Sequence, residues 1–145
     1  MSVNTTVAAI ELTLEAHGLS LVNHSKVATG EYPFLSQKAI KPLLETSLPL
    51  QMLAIQLLHD LQTEDEQAKR DTKERNRCGF MSSDAWHGSR IAEMLNADAM
   101  LDGDDLARVP RIASKYSKQL SVQLRRLAIM RDPKLAGLAA VFSAA

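Results

Sequence analysis

The sequence predicts an all-α fold: a compact bundle of about five to six helices around one long central helix, in a single helical domain spanning residues 1–145. Three observations lead there. Apolar side chains recur at three- and four-residue spacing along most of the chain, alternating β-branched runs are scarce, and aromatic residues make up only 4% of the sequence. A chain of this length buries roughly two thirds of its unfolded surface around one core, so a stable fold needs no disulfide or metal.

The first helix is expected over Thr5 to His17, where Val7, Ile10 and Leu14 share a face and Gly18 can close the end in the left-handed conformation. Ser20 is placed to cap a short second helix reaching Thr29. Gly30-Glu31-Tyr32-Pro33-Phe34 reads as a turn, after which Ser36 can cap the next helix. Pro42 is expected to break or kink the stretch from Ala39 to Glu45. Ser47 with Pro49 in the first turn starts the long helix, which is expected to run to about Arg75 and to divide the chain into parts 1–75 and 76–145.

That helix is apolar at positions 50, 53, 54, 57, 58 and 61, whereas residues 63–77 are almost all charged or polar and are expected to project into solvent. Asp65 to Lys69 and Glu66 to Arg70 are acid-to-base pairs four apart, each contributing a few tenths of a kcal/mol. Asn76 to Phe80 reads as a turn, and Ser82, Ser83 or Asp84 as a cap for a helix carrying Trp86, Ile91, Met94 and Leu95. Asp102-Gly103-Asp104 ends it. A further helix is expected to reach about Met130, disturbed near Pro110, and Asp132-Pro133 restarts a last short one with Leu135, Leu138 and Phe142 facing inward.

Seventeen basic and seventeen acidic side chains cancel, which excludes a wholesale polyanion binder. The distribution is uneven. From Arg108 to Lys134 there are eight basic residues and one acid, Asp132. At roughly 100° per residue, Arg108, Arg111, Lys115, Lys118, Arg125 and Arg126 fall within one arc of about 100°, opposite Val109, Tyr116, Leu120, Leu124 and Leu127. Packing the apolar stripe inward would aim the cations outward together, a footprint suited to a phosphate backbone. An ordinary solvated face mixes signs, whereas no acid occurs between Arg108 and Arg131. Basic amphipathic helices also bind acidic proteins and membrane surfaces. The partner expected here is a nucleic acid, DNA ahead of RNA, or an acidic protein surface, and either reading allows a homodimer.

The N-terminal stretch has no basic leader and contains Glu11 and Glu15, and the apolar region Leu48 to Leu61 is interrupted by Gln51, Gln56, His59 and Asp60. No membrane span is expected, and the lone Cys78 fits a reducing, cytoplasmic setting. No cofactor and no catalytic centre are expected. His17, His24, His59, His87 and Cys78 lack zinc-site spacing, and nothing marks an oxyanion site beside Cys78 and His87. Asp102-Gly103-Asp104-Asp105 has a fragment of a calcium loop without its alternating and distal ligands, and is read as a helix start.

The string Asn76-x-x-Gly79-Phe80-x-x-x-Asp84-x-x-x-Gly88-x-x-Ile91-Ala92, followed by Lys115-Tyr116-x-x-Gln119-Leu120, resembles a short helical module attached to some phage and bacterial helicases. Related strings occur in other DNA-processing proteins of mobile elements. The resemblance covers about residues 76–120. It implies a nucleic-acid context, with Lys115, Tyr116 and Gln119 as the carried-over positions that touch a backbone or base. Val109-Pro110 departs from the unbroken helix of that module, and no Gly-rich phosphate loop with Lys-Ser/Thr is present, so the implied role is accessory to a motor or nuclease. The same residues have structural readings. Gly79 permits a turn, Gly88 close helix packing, Asp84 a cap and Phe80 a hydrophobic staple, while Trp86 and Tyr116 are core anchors with a hydrogen-bonding edge.

The function expected from these readings is that of a non-catalytic nucleic-acid-binding accessory protein of a phage or mobile element. The alternative is a helical adaptor or inhibitor working by protein contact, such as a phage protein directed at a host or defence complex.

Overall fold

Short polar side chains that accept from free helical N–H groups set most of the boundaries in the computed structural model, which describes residues 2–68 and 80–137. Ser2 accepts from the Thr5 amide at 3.2 Å and opens α1 (Val3–Glu15), earlier than Thr5. Gly18 closes its far end with φ +72°, the left-handed geometry expected of it. Asn23 caps α2 (His24–Thr29) through the Ser25 and Lys26 amides. The expected cap, Ser20, instead donates to the Val22 carbonyl at 3.1 Å. Ser36 caps α3 (Gln37–Thr46), and Ser47 accepts from Leu50 at 3.4 Å at the head of α4 (Leu48–Ala68).

The second half of the described chain holds α5 (Ser82–Asn96), α6 (Gly103–Ser114), α7 (Ser117–Arg131) and a 3-10 turn at Pro133–Leu135. Asp102 caps α6 through the Asp105 amide at 2.8 Å, so the Asp102-Gly103-Asp104 string begins a helix as read. Among the described residues the fold is all-α, with seven helices and one isolated antiparallel bridge between Val22 and Phe34.

Neither the break or kink expected at Pro42 nor the disturbance expected near Pro110 interrupts a helix. α3 runs through Pro42 and α6 runs through Pro110. In both, the carbonyl that loses its N–H partner four residues earlier belongs to an exposed residue, Lys38 or Leu106, where water can take the place of the missing donor. The break falls instead at Lys115–Tyr116, splitting the single helix that was expected to reach Met130. There the amides of Lys115 and Tyr116 turn to carbonyls only three residues back, Ile112 and Ala113, each at 3.2 Å.

α4 is the central element, packed against α1, α3, α5 and α6, while α3 also packs on α6 and α7. Being surrounded, it buries more than one stripe. Leu50, Ala54, Leu57, Leu58 and Leu61 are buried as expected, Ile55 is buried as well, and Leu53 is only half-buried. Its polar core residues are answered: the Gln51 amide donates to the Leu44 carbonyl and that of Gln56 to Asn96 Oδ1, each at 2.9 Å. One buried cluster runs from Val3 through Leu124 and joins the two parts of the chain. The expected extension of the long helix toward Arg75, most of the Asn76–Phe80 turn, Cys78, Leu138 and Phe142 lie outside the described residues. Among the described residues no helix is long and apolar enough to cross a membrane.

Candidate nucleic-acid interface

The candidate site lies on the bend between α6 and α7, and side chains of α5 bond to the residues at that bend. Asp84, in the first turn of α5, is buried to 8% exposure and caps nothing, since the cap position at Met81 has no side-chain bond. Its carboxylate accepts from the Tyr116 hydroxyl at 2.7 Å and from Lys115 Nζ at 3.2 Å. The Tyr116 oxygen accepts in turn from the Met81 amide at 2.9 Å. Burial, and then the hydrogen bond that the phenol donates to Asp84, push the Tyr116 phenol up to about 12.

Phe80 packs edge-on against Tyr116, ring centroids 5.8 Å apart, and also against Gly88, where a Cβ would lie 2.7 Å from the ring. Gly88 therefore serves close packing as expected, and the partner is the Phe80 ring. With Ile91, Ala92 and Leu120 buried beside them, these positions of the spaced string form one connected joint.

A second anchor lies further along the same helix pair. Asp105, fully buried, receives Arg90 in a two-point contact, Nη1 to Oδ2 at 2.7 Å and Nη2 to Oδ1, and Arg108 Nη1 at 3.1 Å. The hydrogen bond from Arg90 is the main force holding the Asp105 carboxyl below the usual carboxylate range. Because Asp84 meets Lys115 while Arg90 meets Asp105, α5 lies antiparallel beside α6.

The buried stripe Val109, Ile112, Ala113, Tyr116, Leu120, Leu124 and Ala128 keeps helical phase through the bend, with Leu127 half-buried at its edge. The opposite row is consequently still one row: residues 107, 111, 115, 118, 122, 126 and 130 are all exposed. It contains Arg111, Lys115, Lys118 and Arg126. The expectation of cations opposite a packed stripe thus holds through the bend, but that of six equivalent outward charges does not. Arg108 is half-buried and tied to Asp105, Lys115 is tied to Asp84, and Arg125 is half-buried with a guanidinium nitrogen 3.3 Å from the Tyr32 hydroxyl. Arg111 and Lys118 are exposed and form no ion pair among the described residues. Tyr116, at 3% exposure, is a core anchor and offers no surface to a base, and Gln119 is half-buried.

One residue was placed wrongly by the sequence reading. Trp86 was grouped with Ile91, Met94 and Leu95, yet it is 68% exposed. Five residues before Ile91, it is turned about 140° from that residue around the helix, and this offset is the signal that removes it from the apolar face. The Arg90 guanidinium carbon sits over the indole at 5.1 Å from its centroid, and His87 meets it edge-on at 4.7 Å. Among the described residues no cluster of three or more His, Cys, Asp or Glu side chains could hold a metal ion. No protein-family model matches the chain, and neither does a curated protein or a solved structure.

Proposed function

We propose that this is a non-catalytic nucleic-acid-binding accessory protein of a phage or mobile element, which contacts phosphates through the exposed faces of α6 and α7. The observation that carries the reading is the outward row containing Arg111, Lys115, Lys118 and Arg126, in a stretch from Arg108 to Arg131 without a single acid. Asp84 and Asp105 answer Lys115 and Arg108, while Arg111 and Lys118 have no ion pair among the described residues, and a partner that supplies regularly spaced negative charge would meet them while releasing its own condensed counterions. The resemblance of the Asn76–Leu120 string to a helicase-associated module points to the same class of partner. Arg111 and Lys118 are the primary contacts in this reading, with Arg125 and Arg126 beyond the bend and Lys115 and Arg108 as partly neutralised flanks.

The test is binding to labelled DNA and RNA across a salt series. Affinity is expected to fall linearly in log salt, and the double variant Arg111→Ala/Lys118→Ala is expected to flatten the slope. Absence of association with any strand at low salt overturns the reading. It would favour a second one, a helical adaptor that meets an acidic protein surface. A specific feature supports that alternative: Val122 and Met130 are exposed within the cationic row, and a row mixing apolar and basic groups suits an acidic amphipathic partner.

A further inference from the structure

We infer that Trp86 is a stacking platform for an unpaired base, which makes the ligand of this face a single-stranded nucleic acid; the inference rests on the phosphate-contact reading above. The indole is the only tryptophan in the chain and lies mostly in solvent, yet it is not loose. Arg90 covers it from one side and the His87 ring meets it in a T-shaped contact. Arg90 is itself fixed by its two-point contact with buried Asp105, whose backbone amide is held by the Asp102 cap. A large apolar surface kept rigid and kept exposed is prepared for contact at little further cost in side-chain freedom.

Its position joins it to the cations. α5 runs antiparallel to α6, with Asp84 fastened at Lys115 and Arg90 at Asp105, so Trp86, between those anchors, lies alongside the middle of α6. That is the segment bearing the exposed Arg111, with Arg108 beside it held by Asp105. The helix pair thus presents an aromatic face beside a short cationic track. An aromatic platform next to a charge track is the combination that holds single strands, since every unpaired base has a π-face, whereas a duplex keeps its base faces stacked internally. The short track and the zero net charge of the chain suit this better than long duplex engagement, which gains mainly from extended phosphate neutralisation.

Because Trp86 is the sole tryptophan, its emission reports the site directly. The full chain is titrated with oligothymidylate and oligouridylate of about 16 nucleotides and with a DNA duplex of matched length. Both single strands are expected to quench the emission, and Trp86→Ala is expected to weaken their binding about five-fold or more while leaving the salt slope unchanged. Trp86→Phe should retain part of the affinity, and Arg111→Ala/Lys118→Ala should lower the slope yet preserve the quench at saturation. Preference between the two single strands, repeated with oligodeoxyuridylate to separate the sugar from the thymine methyl, identifies DNA or RNA as the source of the strand.

Single strands that bind without altering the emission, with unchanged affinity in Trp86→Ala, overturn the inference and leave phosphate contact standing. Equal or tighter duplex binding overturns it likewise. Failure of every strand to bind removes both. Should Trp86→Ala misfold, the quench and the Trp86→Phe affinity still decide.

Discussion

Asp84 and Tyr116 are 32 residues apart, and each supplies what the other lacks. A buried carboxylate needs donors, and the phenol gives one while its oxygen takes the Met81 amide. Tyr116→Phe removes both bonds and is expected to cost about 1–3 kcal/mol in urea unfolding at neutral pH. The raised phenol pKa adds a dependence at high pH. Since the folded value of about 12 lies above the ordinary 10.0, the contribution of the protonated phenol is complete below pH 10 and is lost between about 10 and 12. The loss should amount to about 2–3 kcal/mol across that window and be missing from Tyr116→Phe, so parallel curves for the two proteins would contradict the assigned hydrogen bonds.

Asp105 has the opposite sign. Arg90 lowers its folded pKa below the ordinary 3.8, so its contribution is complete above that value and is lost as pH falls through the lower folded one. Asp105→Asn is expected to be less stable at neutral pH and to show a shallower decline below pH 4, read by acid unfolding.

At the scale of elements, α5 is seated by a glycine. Replacing a helix-interior glycine by alanine ordinarily gains up to about 1 kcal/mol, but a Cβ at Gly88 would lie 2.7 Å from the Phe80 ring, which would have to leave its edge contact with Tyr116. A net destabilisation of about 1–3 kcal/mol is expected for Gly88→Ala. Gly103→Ala, at the head of α6 with nothing within 4 Å of the new carbon, should be neutral within about 0.5 kcal/mol, and thermal unfolding of the pair separates packing from propensity.

The contrast between these helices also shows what was legible beforehand. Apolar faces and several boundaries follow from local rules, as at Gly18, Ser36, Ser47 and Asp102. The bend at Lys115–Tyr116 is bonded to Asp84, more than thirty residues away, and no local window contains that partner. Neutralisation of Lys115 was hidden similarly, because Asp84 lies far outside the acid-free stretch, whereas Asp105 and Arg108 are three apart and their pairing was contained in the local spacing. Trp86 was legible in part: its angular offset from Ile91 was present in the spacing, but the Arg90 guanidinium over its ring is held there by Asp105 of α6, which the spacing of α5 does not contain.

At the scale of the whole molecule, equal numbers of acids and bases leave no long-range field to gather a polyanion, so any attraction must come from the local row. The size of the salt effect then depends on how many cations are free to meet phosphate. Six would give a slope near −4 in log affinity against log salt on a single strand, at about 0.7 per phosphate. Arg108 and Lys115 already face carboxylates, and transferring them to phosphate would leave Asp105 and Asp84 buried without those partners. Arg111, Lys118 and Arg125 form no ion pair among the described residues, so the slope is expected near about −2.

Removing Arg111 and Lys118 should bring it to about −1, whereas Arg108→Ala and Lys115→Ala should leave it nearly unchanged while lowering thermal stability. Fluorescence anisotropy from about 20 to 200 mM salt distinguishes these cases. A slope near −4 that drops with Arg108 and Lys115 would mean that ligand binding pulls both side chains out of the ion pairs that anchor the bend, and that the free and bound forms of α5, α6 and α7 differ.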